Sequence, residues 1–229
     1  MKLHRPKTYW RMVKRKAGTD FPEPKVMRVL KKLRGQTFVD VGANIGIYSI
    51  PLAQHFRQVY SFEPNPEANK TLSMKSPQNV LTYDCAITDK DGEARFYLDP
   101  LFPQPNPATG SANTVLEEWH YKPASSPKVE LFYKGKESSL VRTRSLDSFF
   151  ESYLHGLRWI DLLKVDVEGA EFLVLEGAKQ LLAGARITHA MVELHDRDRK
   201  EELVKLFNGY QYKGHWVDAD HYYAYWKGL

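Results

Sequence analysis

A chain of 229 residues, 42% apolar and 27% charged, has the length for one domain with a sizeable core and the make-up of a soluble globular protein. A single cysteine, Cys85, excludes an internal disulfide framework and a four-thiolate zinc site. No apolar run reaches the ~18–20 residues that span a bilayer. The start, Met1 to Pro6, is basic without a following apolar stretch, so a cytoplasmic location is expected rather than secretion.

The net charge of +5 is unevenly distributed. Residues 1–34 hold twelve Lys or Arg against Asp20 and Glu23, a local balance of +10, while the rest of the chain has 21 basic and 26 acidic groups, −5. The basic N-terminal arm, with Tyr9 and Trp10 among its cations, suits RNA phosphates, an anionic membrane or an acidic partner; the plainer alternative is a solvated arm packed on the domain.

In chain order, Val26 to Leu33 has apolar residues at helical spacing and stops before Gly35. A strand is expected over 36–41, and a crossover helix from Ile45 to Phe56. A second strand over 58–63 stops at Pro64, a helix covers 66–75, and a third strand lies near 79–84. Asp91-Gly92 reads as a hairpin turn into a strand over 94–98. Residues 99–127 carry six of the thirteen prolines and no clear periodicity, which suits a lid, a substrate loop or a passive insertion. Strands follow near 129–132 and 140–143, then a helix from Leu146 to about Leu154. The α/β order resumes with a strand over 159–166, a helix opened by Glu168 to Glu171 and running to about Leu182, a strand over 187–194 and a helix over 199–207. The aromatic tail supplies two closing strands, antiparallel in part.

Short apolar strands alternating with helices predict an α/β fold with a doubly wound, mostly parallel sheet and ligands at the strands' carboxyl ends. The domain reading is an N-terminal arm and helix over 1–34 and a single domain over 35–229, with an insertion at about 91–143.

Two local patterns point to a nucleotide-type cofactor. Gly42 and Gly46 follow the first strand and permit a tight turn and a close ligand approach. Glu63 ends the second strand 23 residues after Asp40, near the ~20 expected for a carboxylate that holds ribose hydroxyls. The turn lacks the third glycine of the dinucleotide fingerprint. Asp40 before it would repel a phosphate and attract a sulfonium or ammonium group, which favours S-adenosylmethionine.

Four segments in this order resemble the FkbM-type methyltransferases: Phe38-Val39-Asp40-Val41-Gly42-Ala43-Asn44-Ile45-Gly46, Phe62-Glu63-Pro64-Asn65-Pro66, Leu163 to Glu171, and Val192-Glu193-Leu194-His195. The resemblance covers about residues 36–195. It implies a Rossmann-like class I methyltransferase fold with a seven-stranded sheet, S-adenosylmethionine as methyl donor with S-adenosylhomocysteine as product, and O-methylation of a hydroxyl on a saccharide, glycoconjugate or natural product. It further implies that Asp40, Gly42, Asn44 and Gly46 lie under the methionine part of the donor, that Glu63 takes the ribose, and that Asp84 with Cys85 and Ala86 lies beside adenine.

Direct displacement at a sulfonium needs alignment and a base for the acceptor's proton. His195 has an ordinary pKa of ~6.5 and is the natural choice. Asp166 is expected to face the donor's amino group or hold Lys164, and Glu168 and Glu193 to bind acceptor hydroxyls. Asp166, Glu193 and His195, with Glu168, are also a possible divalent-metal set, although their spacing is no dedicated ligand motif. Cys85 reads as a small buried residue and Glu171 as a helix-terminus acid. The alternatives are an RNA methyltransferase that uses the basic arm, a non-catalytic cofactor-binding module, and an enzyme seated by its arm on an anionic membrane.

Overall fold

The structure, a computed structural model, describes residues 23–97, 114–116, 120–121, 131–132, 138–153 and 159–228. The arm before Glu23, with its expected RNA or membrane contacts, lies outside them, as does most of the 99–127 segment read as a lid. No helix among the described residues is long and apolar enough to cross a membrane.

Seven strands form the main sheet: β1 (Gly35–Val41), β2 (Phe56–Phe62), β3 (Val80–Tyr83), β9 (Ile160–Val165), β10 (Ile187–Glu193), β11 (Tyr212–Trp216) and β12 (His221–Trp226). Their order is β11-β12-β10-β9-β1-β2-β3, and β12 alone runs antiparallel to its neighbours. The order reverses between β1 and β9, which opens a crevice at their carboxyl ends.

Both faces of the sheet are covered. Val39, Val41, Phe62, Leu163, Val165 and Val192 belong to one core, shared with α4 (Leu146–Tyr153), α5 (Glu171–Glu176), α6 (Lys179–Ala183) and α7 (Lys200–Gly209). Phe38, Val59, Leu162 and Met191 belong to the other, shared with α1 (Pro24–Leu30) and α2 (Ser49–Leu52). Burial on both faces explains why these strands read as continuous apolar runs. On the second face the register aligns a polar row, Ser61, Asp40 and Lys164, across β2, β1 and β9.

Helix α3 (Pro66–Lys75) begins where expected, because Asn65 accepts the N–H groups of Glu67 and Ala68 at 3.0 and 3.2 Å and Pro66 presets the first turn.

Three expectations are corrected. The first crossover helix does not start at Ile45: Gly42, Asn44 and Gly46 have φ of +76°, +49° and +87°, so 42–48 is a turn, and α2 and a 3-10 turn (Ala53–His55) follow. Asp91-Gly92 does not close a hairpin: β8 (Ser138–Arg144) lies between β4 (Ala86–Ile87) and β5 (Gly92–Tyr97), and Asp91 instead accepts from Ser145 N–H and Ser148 Oγ. The helix expected over 168–182 is two, because the Asp147 carboxylate accepts the N–H groups of Gln180 and Leu181 and begins α6 anew. A further two-stranded pair joins β6 (His120–Tyr121) and β7 (Leu131–Phe132).

Candidate active site

The turn after β1 packs against the turn after β9. The Asp166 N–H donates to the Val41 carbonyl at 3.1 Å, and a Cβ on Gly42 would stand 1.7 Å from the Asp166 carbonyl oxygen. Gly46 has its own reason: besides its positive φ, a Cβ there would press on Leu72 and Ile50 at 2.6–2.8 Å.

Glu63 closes this crevice from β2. One carboxylate oxygen accepts Asn44 N–H and the other Asn65 N–H, both at 2.8 Å. Each oxygen has one lone-pair direction so engaged and another left for a ligand donor. Burial pushes the Glu63 carboxyl up to about 7, against the lowering pull of those two N–H groups. Asn44 Oδ1 in turn accepts Ile45 N–H at 2.7 Å.

Asp40 is fully buried, and its Oδ2 accepts the Ser49 hydroxyl, itself 2.7 Å from Ser61 Oγ. Its Oδ1 is buried without a hydrogen-bond partner. Burial raises the Asp40 carboxyl above the ordinary range although Lys164 opposes this. The Lys164 ammonium donates to Asp166 Oδ2 at 2.7 Å and lies 4.5 Å from the centre of the Tyr48 ring. Burial alone would lower its pKa, but Asp166 and Asp40 outweigh that and hold it above the usual value. Of the two roles expected for Asp166, holding Lys164 is the one observed.

Glu168 sits at φ +53°, followed by Gly169 at +101°. This left-handed pair folds the chain back so that Glu168 and Glu171 bracket His195. His195 Nε2 is 3.0 Å from Glu168 and Nδ1 is 2.8 Å from Glu171 Oε1, which also accepts Gly169 N–H at 2.8 Å. Asp166 Oδ1 and Glu193 Oε1 stand 3.9 and 3.8 Å from His195 Nε2. All four expected catalytic residues therefore meet. Two carboxylates flank the His195 ring. Burial disfavours the imidazolium, but Glu168 and Glu171 overcome this and hold His195 well above its ordinary value. Burial, with Asp166 and Glu193 nearby, pushes Glu168 up to about 7 despite the opposing pull of His195. Glu171, fully buried beneath His195, fixes the ring while also serving its own helix terminus.

At the end of β3, Asp84 is exposed and ion-paired with Arg142 of β8. Cys85 is buried, its thiol pushed up to about 11 by burial, and Ala86 is buried in β4 beside Thr143. A titrating thiolate is thus absent at neutral pH.

The sequence reading missed a second cluster beside Glu193. His221 Nε2 is 3.1 Å from Glu193 Oε2 and its Nδ1 is 2.9 Å from Asp218 Oδ1. Burial would lower the His221 pKa, but those carboxylates raise it to about 9. Glu23, at the start of α1, accepts the Tyr48 hydroxyl and completes the group. The metal set expected as Asp166, Glu193 and His195 is divided: Glu168 joins Asp166 and His195, while Glu193 joins Glu23 and His221. Only the pairing of β12 with β10 brings His221 opposite Glu193, and no local pattern announces it.

Comparison with known proteins identifies the family and relatives of the chain. The chain is 26% identical over 172 residues to the hexuronic acid methyltransferase AglP of Haloferax volcanii, covering 74% of this chain and 60% of that protein. It is 28% identical over 193 residues to the 31-O-demethyl-FK506 methyltransferase FkbM of Streptomyces tacrolimicus, covering 77% and 72%. It spans about three fifths of the length of the first curated relatives it matches. The fold is similar to the crystal structure of methyltransferase FkbM from Methylobacillus flagellatus, with a TM-score of 0.50 and 16% identity over 84% of this chain and 44% of the other. A family model described as the methyltransferase FkbM domain matches residues 40–221, from the carboxylate before the glycine turn to the histidine opposite Glu193, and the chain belongs to that family.

Proposed function

We propose that this chain is an S-adenosylmethionine-dependent O-methyltransferase acting on a hydroxyl of a saccharide or natural product. The observation that carries the reading is Glu63, a buried carboxylate fixed by two backbone N–H groups at the mouth of a Gly42 turn too close-packed for any side chain. Its remaining lone pairs suit the two hydroxyls of a ribose. The partnerless Oδ1 of Asp40 beneath the turn fits a site that receives a positively charged group. The name of one relative, a 31-O-demethyl-FK506 methyltransferase, supports transfer to oxygen, and that of another, a hexuronic acid methyltransferase, supports a saccharide acceptor.

When bound, the sulfonium supplies an electrophilic methyl group whose S–C bond breaks toward sulfur as the acceptor oxygen attacks. The residues described here deal with the proton. Glu168, tuned near neutrality and 3.0 Å from His195, accepts the hydroxyl proton, while the imidazolium steadies the developing charge. Glu193 hydrogen-bonds the acceptor from the adjacent strand end. Asp84, Cys85 and Ala86 border the adenine.

Calorimetric titration with S-adenosylhomocysteine, followed by mass spectrometry of products from a panel of saccharides and polyketides, tests the reading. Submicromolar to micromolar binding and a methyl-mass increment on a hydroxyl are expected. No binding at millimolar ligand sinks the donor assignment. Transfer to nitrogen or to RNA, with hydroxyl acceptors inert, sinks the acceptor class.

A further inference from the structure

Two groups of described residues bring three potential metal-ligating atoms together. In the Asp166, Glu168 and His195 group, Lys164 already balances charge and His195 is ion-paired, so that group belongs to the proton chemistry above. In the Glu23, Glu193 and His221 group the imidazole is likewise paired, with Glu193 and Asp218, but Glu23 and His221 take no part in that proton chemistry. Its three ligand atoms lie within 4.8 Å of one another and come from α1, β10 and β12. Donor atoms around an ion held at about 2.1 Å stand roughly 3–4 Å apart, so this spacing needs little adjustment.

Each of two ligands has its outer atom already fixed. Asp218 Oδ1 accepts the backbone N–H groups of Asp220 and His221 at 3.0 and 2.9 Å and lies 2.9 Å from His221 Nδ1, which aims Nε2 at Glu193. Tyr48 donates its hydroxyl to Glu23. Metal-ligating histidines carry just such a carboxylate on the other ring nitrogen, which sets the tautomer and the basicity. Two partly buried carboxylates lie beside one imidazole, and an entering divalent ion would displace the imidazolium proton to solvent and take over its charge.

We propose that Glu23, Glu193 and His221 bind a divalent first-row transition ion. One imidazole with two carboxylates favours manganese, iron or zinc over magnesium or calcium, which take oxygen ligands throughout. The ion ties the start of α1 to the ends of β10 and β12. It also draws Glu193 to one side of the acceptor crevice, and so sets the position of a residue that faces the acceptor. Its binding does not depend on the proposed methyl transfer.

The test is titration of the full chain with manganese chloride and with zinc chloride, read by calorimetry and, for manganese, by loss of the free-ion paramagnetic resonance signal. One ion per chain is expected. Glu23→Gln and His221→Asn each weaken binding by about tenfold or more, as does Asp218→Asn, which removes the imidazole's orienting partner. Saturating ion raises the Tm of the wild type and leaves that of His221→Asn unmoved. Glu168→Gln binds the ion as wild type does. If His221→Asn does not fold by circular dichroism, Glu23→Gln decides alone. Absence of binding at millimolar ion overturns the proposal, as does loss of binding in Glu168→Gln with Glu23→Gln unaffected. Titrating S-adenosylhomocysteine into the same samples separates this failure from failure of the donor site.

Discussion

The carbonyl oxygen of Asp166 occupies the position a side chain at residue 42 would need, 1.7 Å from the place of its Cβ. Two loops from strands that sit side by side in the sheet thus meet without a gap above the switch point. Gly42→Ala adds both this collision and the cost of φ +76° for a residue with a Cβ, the latter alone about 1–2 kcal/mol. We expect at least ~2 kcal/mol less stability in urea unfolding and a loss of donor affinity larger than that of any exposed substitution.

Glu63 gives a pH signature. Its carboxyl titrates at about 7 in the empty protein. If the carboxylate receives the ribose hydroxyls, donor affinity rises about tenfold per pH unit up to that pKa and levels off above it. Glu63→Gln should abolish the dependence and lower affinity throughout. Calorimetry from pH 5.5 to 8.5 checks both, and a flat wild-type profile refutes the role.

Lys164 is the cation beside two carboxylates, buried Asp40 and partly buried Asp166. It donates to Asp166 and is a registered neighbour of Asp40 on the same face. Lys164→Met keeps the length of the side chain but leaves buried negative charge unpaired, and should cost about 3–5 kcal/mol. Adding Asp166→Asn in the same chain should recover part of it. Chemical denaturation of the single and double variants measures the coupling.

The proton-transfer assignment predicts a rate that rises with pH through about 7, since Glu168 must be ionised to accept a proton. Glu168→Gln should lower kcat by roughly 10²–10⁴ with donor affinity little changed. Glu171→Gln acts through the ring it holds, so it should move the pH profile and slow turnover less. If Glu168→Gln retains wild-type kcat, another group takes the proton.

What was legible in the sequence is what a few consecutive residues decide. The alternation of strands and helices, the helix over 66–75 and the Glu63 spacing are all local patterns, and the family match over 40–221 agrees with the fold. The misses have non-local causes. Asp147 interrupts a helix 33 residues away, and β8 slips between two strands that read as a hairpin. His195 reads alone as an ordinary imidazole, and only the fold places Glu168 and Glu171 around it and raises its pKa. Glu23, Tyr48 and His221 carried no signal at all, because they meet only after α1 and β12 have docked on the sheet.

Glu63 has one more consequence, for the life of the protein rather than its chemistry. A carboxyl with its folded pKa raised above the ordinary value contributes stability below the carboxylate range, and loses it as pH rises through about 7. Near neutrality the fold is therefore weakened at the mouth of the crevice beside the Gly42 turn. A ligand whose hydroxyls engage that carboxylate would offset the loss, and should raise Tm more at pH 8 than at pH 5.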